Sequence, residues 1–347
     1  MYNRVMNDIW NYLRKLKKPI VLYGTGNGAD KMLSVCEKYG IRVSGVFSSD
    51  SFVRKKIFHG MPVTDYKTAC DKFGDMAVLL CFGTALPEVT ANIRRIAAVH
   101  ELYAPEVPVH GEAVFNFEYY KKRQAEFLSV REKLADEISK RTFDCIVKYK
   151  LTGDINLLFD CETDREEPYK SFLHFTDNET YLDLGAYRGD TVLSFCKRAK
   201  GWKSIIAVEP DVKTYAKLKA ATADIENITN INAFAGAKSG VKTVNMNGSR
   251  GAGQGGAPGE VRVITVDSLG IAPTFIKMDI EGDESEAISG AGETIRTYRP
   301  KMKISAYHRI GDIIDIPKAV QAVYPDYKIY LRHNPCLPAW DTDYFFI

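Results

Sequence analysis

Residues 181–190 read YLDLGAYRGD. A short apolar run delivers Asp183 to the end of a strand, Gly185 lets the backbone turn without a Cβ, and Gly189 keeps the start of the next helix clear. The same glycines would serve a cofactor or a plain strand-to-helix turn, so charge has to separate the two. A phosphate-binding turn aims a helix N-terminus at a dianion and gains nothing from carboxylates at both ends of the loop. Asp183 and Asp190 therefore favour a ligand carrying an ammonium or sulfonium group, and S-adenosylmethionine carries both.

The next strand, IIAVEPD at 205–211, ends in Glu209, roughly twenty residues past the glycines, where an acid can accept both ribose hydroxyls of an adenosine. Strands TYLDLG, SIIAVEP, ITNINAF, TFIKMDI and KMKISAY alternate with helices TVLSFCKRA, VKTYAKLKAAT, ESEAISGAGETIRTY and IPKAVQAVY. VKTVNMN and EVRVITVD read as hairpin arms around the glycine-rich GSRGAGQGGAPG, and the tail from Tyr327 reads as a terminal antiparallel pair, reversed relative to the parallel strands. Right-handed crossovers would put the C-terminal ends of the parallel strands on one rim.

These segments carry a family resemblance. YLDLGAYRGDTVLSF, IAVEPD, INAFAGAKSG, TVDSL and above all TFIKMDIEGDESEAISGAGETI resemble, in order and spacing, the FkbM-type methyltransferases. The flanking LADEISKRTFDCIVKYKLTGD and KISAYHRIGDIIDIPKAVQAVYPDYKIYLRH extend the likeness to about residues 130–347. The resemblance implies an α/β, doubly wound class I methyltransferase sheet with S-adenosyl-L-methionine as cofactor. It implies that Asp183, Gly185, Ala186, Tyr187, Gly189, Asp190, Glu209, Pro210 and Asp279 lie at the cofactor, with Asn232 or Ala233 near the adenine.

Methyl transfer to oxygen is an in-line displacement, so alignment and a base for the acceptor hydroxyl are the enzyme's main contributions. Asp279 is read as facing the methyl group or the amino end of the cofactor, and Glu281 or His308 as handling the acceptor proton. Glu281 at a helix start is equally a helix-capping acid. Among six histidines, His308 is the one that the strand order puts on the rim; His59, His100 and His110 are read as surface or packing residues of the front domain, and His174 and His333 have no clear place. Asp279, Glu281, Asp283 and His308 are also cation-ligand types, but their spacing matches no established ligand pattern, so no metal is expected.

A second glycine turn, YGTGNGAD at 23–30, fits G-x-G-x-x-A at Gly24, Gly26 and Ala29 between a strand, PIVLYG, and a helix. The following strand IRVSGVFSSD ends in Ser48, Ser49 and Asp50 rather than in an unambiguous ribose-binding acid, and residues 1–110 are short for a full dinucleotide site. This segment resembles the small Rossmann-like domains that precede sugar acetyltransferases, which implies nucleotide-sugar recognition or a scaffold. Residues 116–150 carry apolar positions at helical intervals without Pro or Gly and predict a long helical connector ended by Gly153. The domains expected are thus a Rossmann-like unit at 1–110, a connector at 111–165 and a methyltransferase domain at 166–347.

Length and composition agree: 347 residues suffice for two cores, and 45% hydrophobic with 26% charged residues is globular. A net charge of +3, with Lys and Arg dispersed among acids, excludes the clustered basic face of a nucleic-acid binder. Seven scattered cysteines without a CxxC pair predict reduced thiols. The absence of a signal-type N-terminus and of a roughly 20-residue apolar span predicts a cytoplasmic protein with no membrane partner, open to homo-oligomers. The reading is O-methylation of a hydroxyl on a saccharide or glycosylated metabolite. Its rivals are a nicotinamide-dependent oxidoreductase built on the front turn and a non-catalytic nucleotide-sugar-binding protein.

Overall fold

A computed structural model describes residues 8–49, 57–107, 109–111, 113–245 and 258–347. The chain divides into two compact units, one of Met1–Arg131, Glu137–Asp164 and His333–Asp341, the other of Glu132–Asp136, Arg165–Arg332 and Thr342–Ile347.

In the first unit, α1 (Ile9–Lys15), β1 (Ile20–Tyr23), α2 (Asn27–Lys38), β2 (Val43–Phe47), β3 (Ile57–Phe58), β4 (Met61–Thr64), α3 (Tyr66–Phe73), β5 (Ala77–Leu80), α4 (Pro87–Ala97) and β6 (Glu101–Tyr103) follow in order. The sheet runs β3-β4-β2-β1-β5-β6 and is parallel except for β3. The uninterrupted apolar strands IVLY and AVLL are buried along their whole length, as central strands covered on both faces must be. Leu22, Met32 and Leu79 meet Trp10 of α1 in the core.

The expected long connector is instead three helices, α5 (Phe117–Lys122), α6 (Gln124–Glu132) and α7 (Glu137–Thr152), followed by the short α8 (Asn156–Phe159). The first break falls at Arg123, whose guanidinium is engaged by Glu126.

The second unit holds α9 (Glu167–Ser171), β7 (Glu179–Leu184), α10 (Asp190–Arg198), β8 (Trp202–Val208), α11 (Val212–Ala221), β9 (Ile228–Ile231), β10 (Phe234–Ala235), β11 (Gly240–Asn245), β12 (Pro258–Ile264), β13 (Phe275–Met278), α12 (Glu284–Ser289), α13 (Gly292–Tyr298), β14 (Lys301–Ser305), α14 (Asp312–Val323), β15 (Ile329–His333) and β16 (Thr342–Phe346). Its main sheet runs β15-β16-β14-β13-β7-β8-β9, and β14, β13, β7, β8 and β9 are mutually parallel. Only β16 is reversed: it is antiparallel to β14, and Lys328 and Ile347 exchange both backbone hydrogen bonds in the antiparallel pattern, so β15 runs with β14. The terminal antiparallel pair read from the sequence thus forms, with β16 alone reversed relative to the parallel strands and lying between β14 and β15. The second break in the connector has its cause here, because Ala135 leaves the helix and donates its N–H to Ile329 of β15.

Strand order reverses between β7 and β13, and ligands of doubly wound sheets sit beyond the carboxyl ends of the strands at such a point. Beneath it, Tyr181 stacks on Phe195 and Phe275 with centroids 4.4 and 5.1 Å apart. The hairpin β11/β12 forms as expected, while residues 246–257 of its glycine-rich loop lie outside the described residues. Among the described residues no helix is long and apolar enough to cross a membrane.

Candidate functional site

The turn after β7 is shaped by close backbone contact. Gly185 has φ +81°, and a Cβ there would lie 1.9 Å from the carbonyl oxygen of Asp279. Glycine is needed for that approach as much as for the dihedral. Tyr187 adopts φ +48° and donates its N–H to Glu209 Oε2 at 3.0 Å, and Gly189 closes the turn by donating to the Ala186 carbonyl at 2.8 Å. Ala186 is buried and donates to Val208 at the end of β8.

Asp183 lies under this turn, fully buried. Its charge is met from within the chain: Lys277 Nζ of β13 stands 3.1 Å from Oδ1, and Thr191 donates its hydroxyl to Oδ2. The same ammonium donates to the Gly185 carbonyl at 2.7 Å, tying the turn to the KMDIEG strand. Burial works against the charge on Lys277, but Asp183 and Asp279 overcome it and hold its pKa above the ordinary value. Asp190, by contrast, is exposed on the first turn of α10. The two acids that bracket the loop in sequence thus occupy different environments.

Glu209 sits as expected at the end of β8 and is buried. It accepts the N–H of Tyr187 at one oxygen and that of Asp211 at the other, at 3.0 and 2.9 Å. Burial pushes its carboxyl up to about 7 against these two hydrogen bonds. Asn232 donates to the carbonyls of Glu209 and Pro210 at 2.8 and 3.0 Å and so holds the backbone that carries the acid. Ala233 beside it is completely buried.

Past β13 the chain turns through Glu281 at φ +59° and Gly282 at φ +107°, and Asp279 and Glu281, two residues apart, come to the same nitrogen of one ring. His308, after β14, lies between them. Its Nε2 is 3.3 Å from Asp279 Oδ1 and 3.7 Å from Glu281 Oε2, and its Nδ1 is 3.0 Å from Glu284 Oε1. Asp279 and Glu281 are on the open side, with side chains 34% and 55% exposed, whereas Glu284 is fully buried. Burial opposes the charge on His308; Glu284 first, then Asp279 and Glu281, outweigh it and raise the imidazole to about 9. Burial likewise opposes ionisation of Asp279, and Lys277 and His308 overcome it, leaving that carboxyl below its ordinary range. Tyr307 adds a hydroxyl 3.3 Å from Asp279 Oδ1.

Of the cation-ligand types read from the sequence, Asp283 is drawn away to Lys242 and Arg309, at 2.9 and 3.3 Å. Glu284 joins Asp279 and His308 in its place, one donor atom from each lying within 4.8 Å of the others. The carboxylates of Glu284 and Asp279 face opposite nitrogens of the ring, however, an arrangement suited to two ring protons rather than to one ion bound at one nitrogen. Glu284 and Lys277 are the site residues that sequence reasoning missed; a lysine inside the apolar strand FIKM was the available signal. Of the remaining histidines, His59 pairs with Asp30 on the surface and His100 contacts Cys70 at 3.6 Å, consistent with surface and packing roles. His333 is buried and its carbonyl accepts from Thr163.

The front turn joins β1 to α2. Gly24 takes φ +117°, and a Cβ at Gly28 would lie 2.2 Å from the Cys81 carbonyl, so helix and strand pack through glycine. Gly26 is the N-cap of α2 and gives it no side-chain cap. At the end of β2, Ser48 is buried and Ser49 bonds the Tyr23 hydroxyl at 2.7 Å, while Asn92 donates to that hydroxyl at 3.0 Å. Asp50 lies outside the described residues.

Residues 183–323 match the methyltransferase FkbM domain. The crystal structure of methyltransferase FkbM from Methylobacillus flagellatus KT is similar at 23% identity, covering 96% of this chain and 91% of that one with a TM-score of 0.74, a likeness of fold. Aeropyrum pernix fibrillarin in complex with S-adenosyl-L-methionine aligns over 50% of this chain and 67% of its own at 13% identity, with a TM-score of only 0.33. No curated protein matches. With its glycine turn, Glu209 and KMDIEG strand in register on one sheet, the chain carries an FkbM-family methyltransferase domain, whose methyl donor is S-adenosylmethionine.

Proposed function

We propose that this domain methylates a hydroxyl oxygen of a saccharide or glycosylated metabolite. The observation that carries the reading is a buried imidazole whose Nε2 faces two partly open carboxylates beside the switch point. Carboxylates at the mouth accept hydrogen bonds from the hydroxyls of a polyol, and a hydroxyl must give up a proton as its oxygen is methylated. The resemblance of the front unit to domains of sugar-modifying enzymes supports the same substrate class.

The residues present fit the cofactor. Glu209 is a buried carboxylate met by backbone N–H donors, and its remaining lone pairs suit a ribose diol. Asn232 keeps the Glu209–Pro210 backbone in place, Ala233 offers an apolar neighbour for the adenine, and Asp279 is the open carboxylate for the amino end. When bound, S-adenosylmethionine supplies an electrophilic methyl group. Asp183 and Lys277 hold the turn in shape from beneath, and His308 in its neutral form takes the acceptor proton at Nε2.

The test is product mapping with a panel of saccharides, glycosides and nucleotide sugars. The expected product is a methyl ether on a sugar oxygen, formed undiminished after exhaustive EDTA treatment; methylation at nitrogen, carbon or sulfur would overturn the reading. A nucleotide sugar remains the proposed ligand of residues 23–30, and the same sugars titrated into the full chain by calorimetry check it. Serines at the end of β2, where a ribose-binding acid belongs, weigh against the nicotinamide alternative.

Replacing Glu209 by alanine is expected to weaken S-adenosylhomocysteine binding by about 1.5–3 kcal/mol for each charge-assisted hydrogen bond lost. Because the ionised carboxylate is the better acceptor, wild-type affinity should rise with pH through about 7, the value to which burial lifts Glu209. Calorimetry from pH 6 to 8 measures both, and a flat profile with unchanged affinity in the variant would place the ribose elsewhere.

A further inference from the structure

Glu284, the first residue of α12, is fully buried. Its Oε1 accepts the N–H of Ile280 at 2.9 Å and stands 3.0 Å from His308 Nδ1 as an ion contact outside hydrogen-bond alignment; its Oε2, equally buried, has no hydrogen-bond partner among the described residues. A helix-capping role would use an exposed acid and leave the histidine out. Burying a carboxylate with an idle oxygen is costly, and the fold meets that cost at the ring whose other nitrogen opens toward Asp279 and Glu281. The ring is also packed against Tyr307, with centroids 4.2 Å apart.

We infer that Glu284 is a positioning residue: it keeps a proton on Nδ1 of His308 and so makes Nε2 the nitrogen that takes the acceptor proton. The inference rests on the proposed base role of His308. In the step it serves, the acceptor oxygen forms the new O–CH3 bond as the S–CH3 bond breaks, and the electron pair of that bond stays on sulfur. The hydroxyl proton passes to Nε2, and the imidazolium returns it to solvent past the exposed Glu281. A base oriented by a buried acid through its far nitrogen is a recurrent arrangement in nucleophile activation.

The groups facing His308 are Glu284 from α12 and Asp279 and Glu281 from the turn after β13. Lys277 and Lys303 act on Asp279 from β13 and β14. Arg309, next in the chain, is turned toward Gly282 and Asp283, and Asp312 of α14 takes the Arg309 N–H. The anionic side is therefore dominated by one buried group, Glu284, and the imidazole raised to about 9 reflects it.

Two measurements on the full chain test the inference. In wild type above pH 10, nitrogen NMR should find neutral His308 as the Nδ1–H tautomer; the Nε2–H tautomer would overturn it. In Glu284→Gln, which retains an oxygen for the Ile280 N–H, the His308 pKa should fall by about one unit or more, with the alkaline limb of kcat following it down and the acceptor KM unchanged. An unmoved His308 titration in the folded variant would likewise overturn the inference. If the titration moves and the rate profile does not track it, Glu284 holds the ring as inferred and the base role of His308 is what fails.

Discussion

Replacing His308 by alanine is expected to lower kcat by about 10²–10⁴-fold, the range that removal of a positioned general base brings. Only the neutral ring can accept a proton, and the native imidazole is raised to about 9, so wild-type kcat should climb with pH toward that value and level off above it. The variant should lose both the rate and the alkaline climb. A bound sulfonium repels the imidazolium, so saturation with cofactor should move the climb to lower pH. The same shift has a stability consequence. A histidine whose folded pKa lies above its unfolded value of about 6.5 stabilises fully below that unfolded value, and the contribution disappears as pH rises toward 9. Denaturant midpoints of the ligand-free protein should fall over this window, and His308→Ala should flatten the fall. A variant with wild-type kcat and an unchanged pH profile would remove His308 from the reaction.

Much of this site was legible because its elements announce themselves locally. Gly185 and Gly189 sit between a fully apolar strand and an amphipathic helix, and Glu209 ends the next apolar run, so turn, register and rim follow from short-range pattern. What the sequence hid were pairings across long separations. Nothing local shows that Lys277, 94 residues after Asp183, neutralises it, and a reading from residues 181–190 alone assigns that carboxylate to an outside cation. Glu284 looks like any acid on a first helical turn until the main chain at Glu281 and Gly282 is seen to fold it beneath His308. Gly185 was recognisable as a turn residue, but the 1.9 Å clash that a side chain would make depends on β13 arriving beside β7. The connector failed for a related reason. Its apolar spacing persists across Arg123 and residues 133–136, where no Pro or Gly marks a stop, and the second interruption is made by a strand that begins at Ile329.

Lys277→Met is the substitution with the largest expected effect on stability. It leaves Asp183 fully buried without the ammonium that answers its charge, and breaking a buried pair by removing one partner costs about 3–5 kcal/mol. It also frees the Gly185 carbonyl from the ammonium that binds the turn to β13, so cofactor affinity should drop although Lys277 itself lies beneath the turn. Urea unfolding and calorimetry with S-adenosylhomocysteine measure the two effects. The pairing account makes a sharper demand of the double variant Asp183→Asn with Lys277→Met. Removing both charges together should recover most of the lost stability, because the penalty of the single variant is that of an unanswered buried carboxylate rather than the worth of the pair. Recovery of affinity should be smaller, since neither methionine nor asparagine restores the hold on Gly185. If Lys277→Met unfolds within about 1 kcal/mol of wild type, the charge of Asp183 is being met by something other than Lys277, and the carboxylate returns as a candidate for the ammonium end of the cofactor.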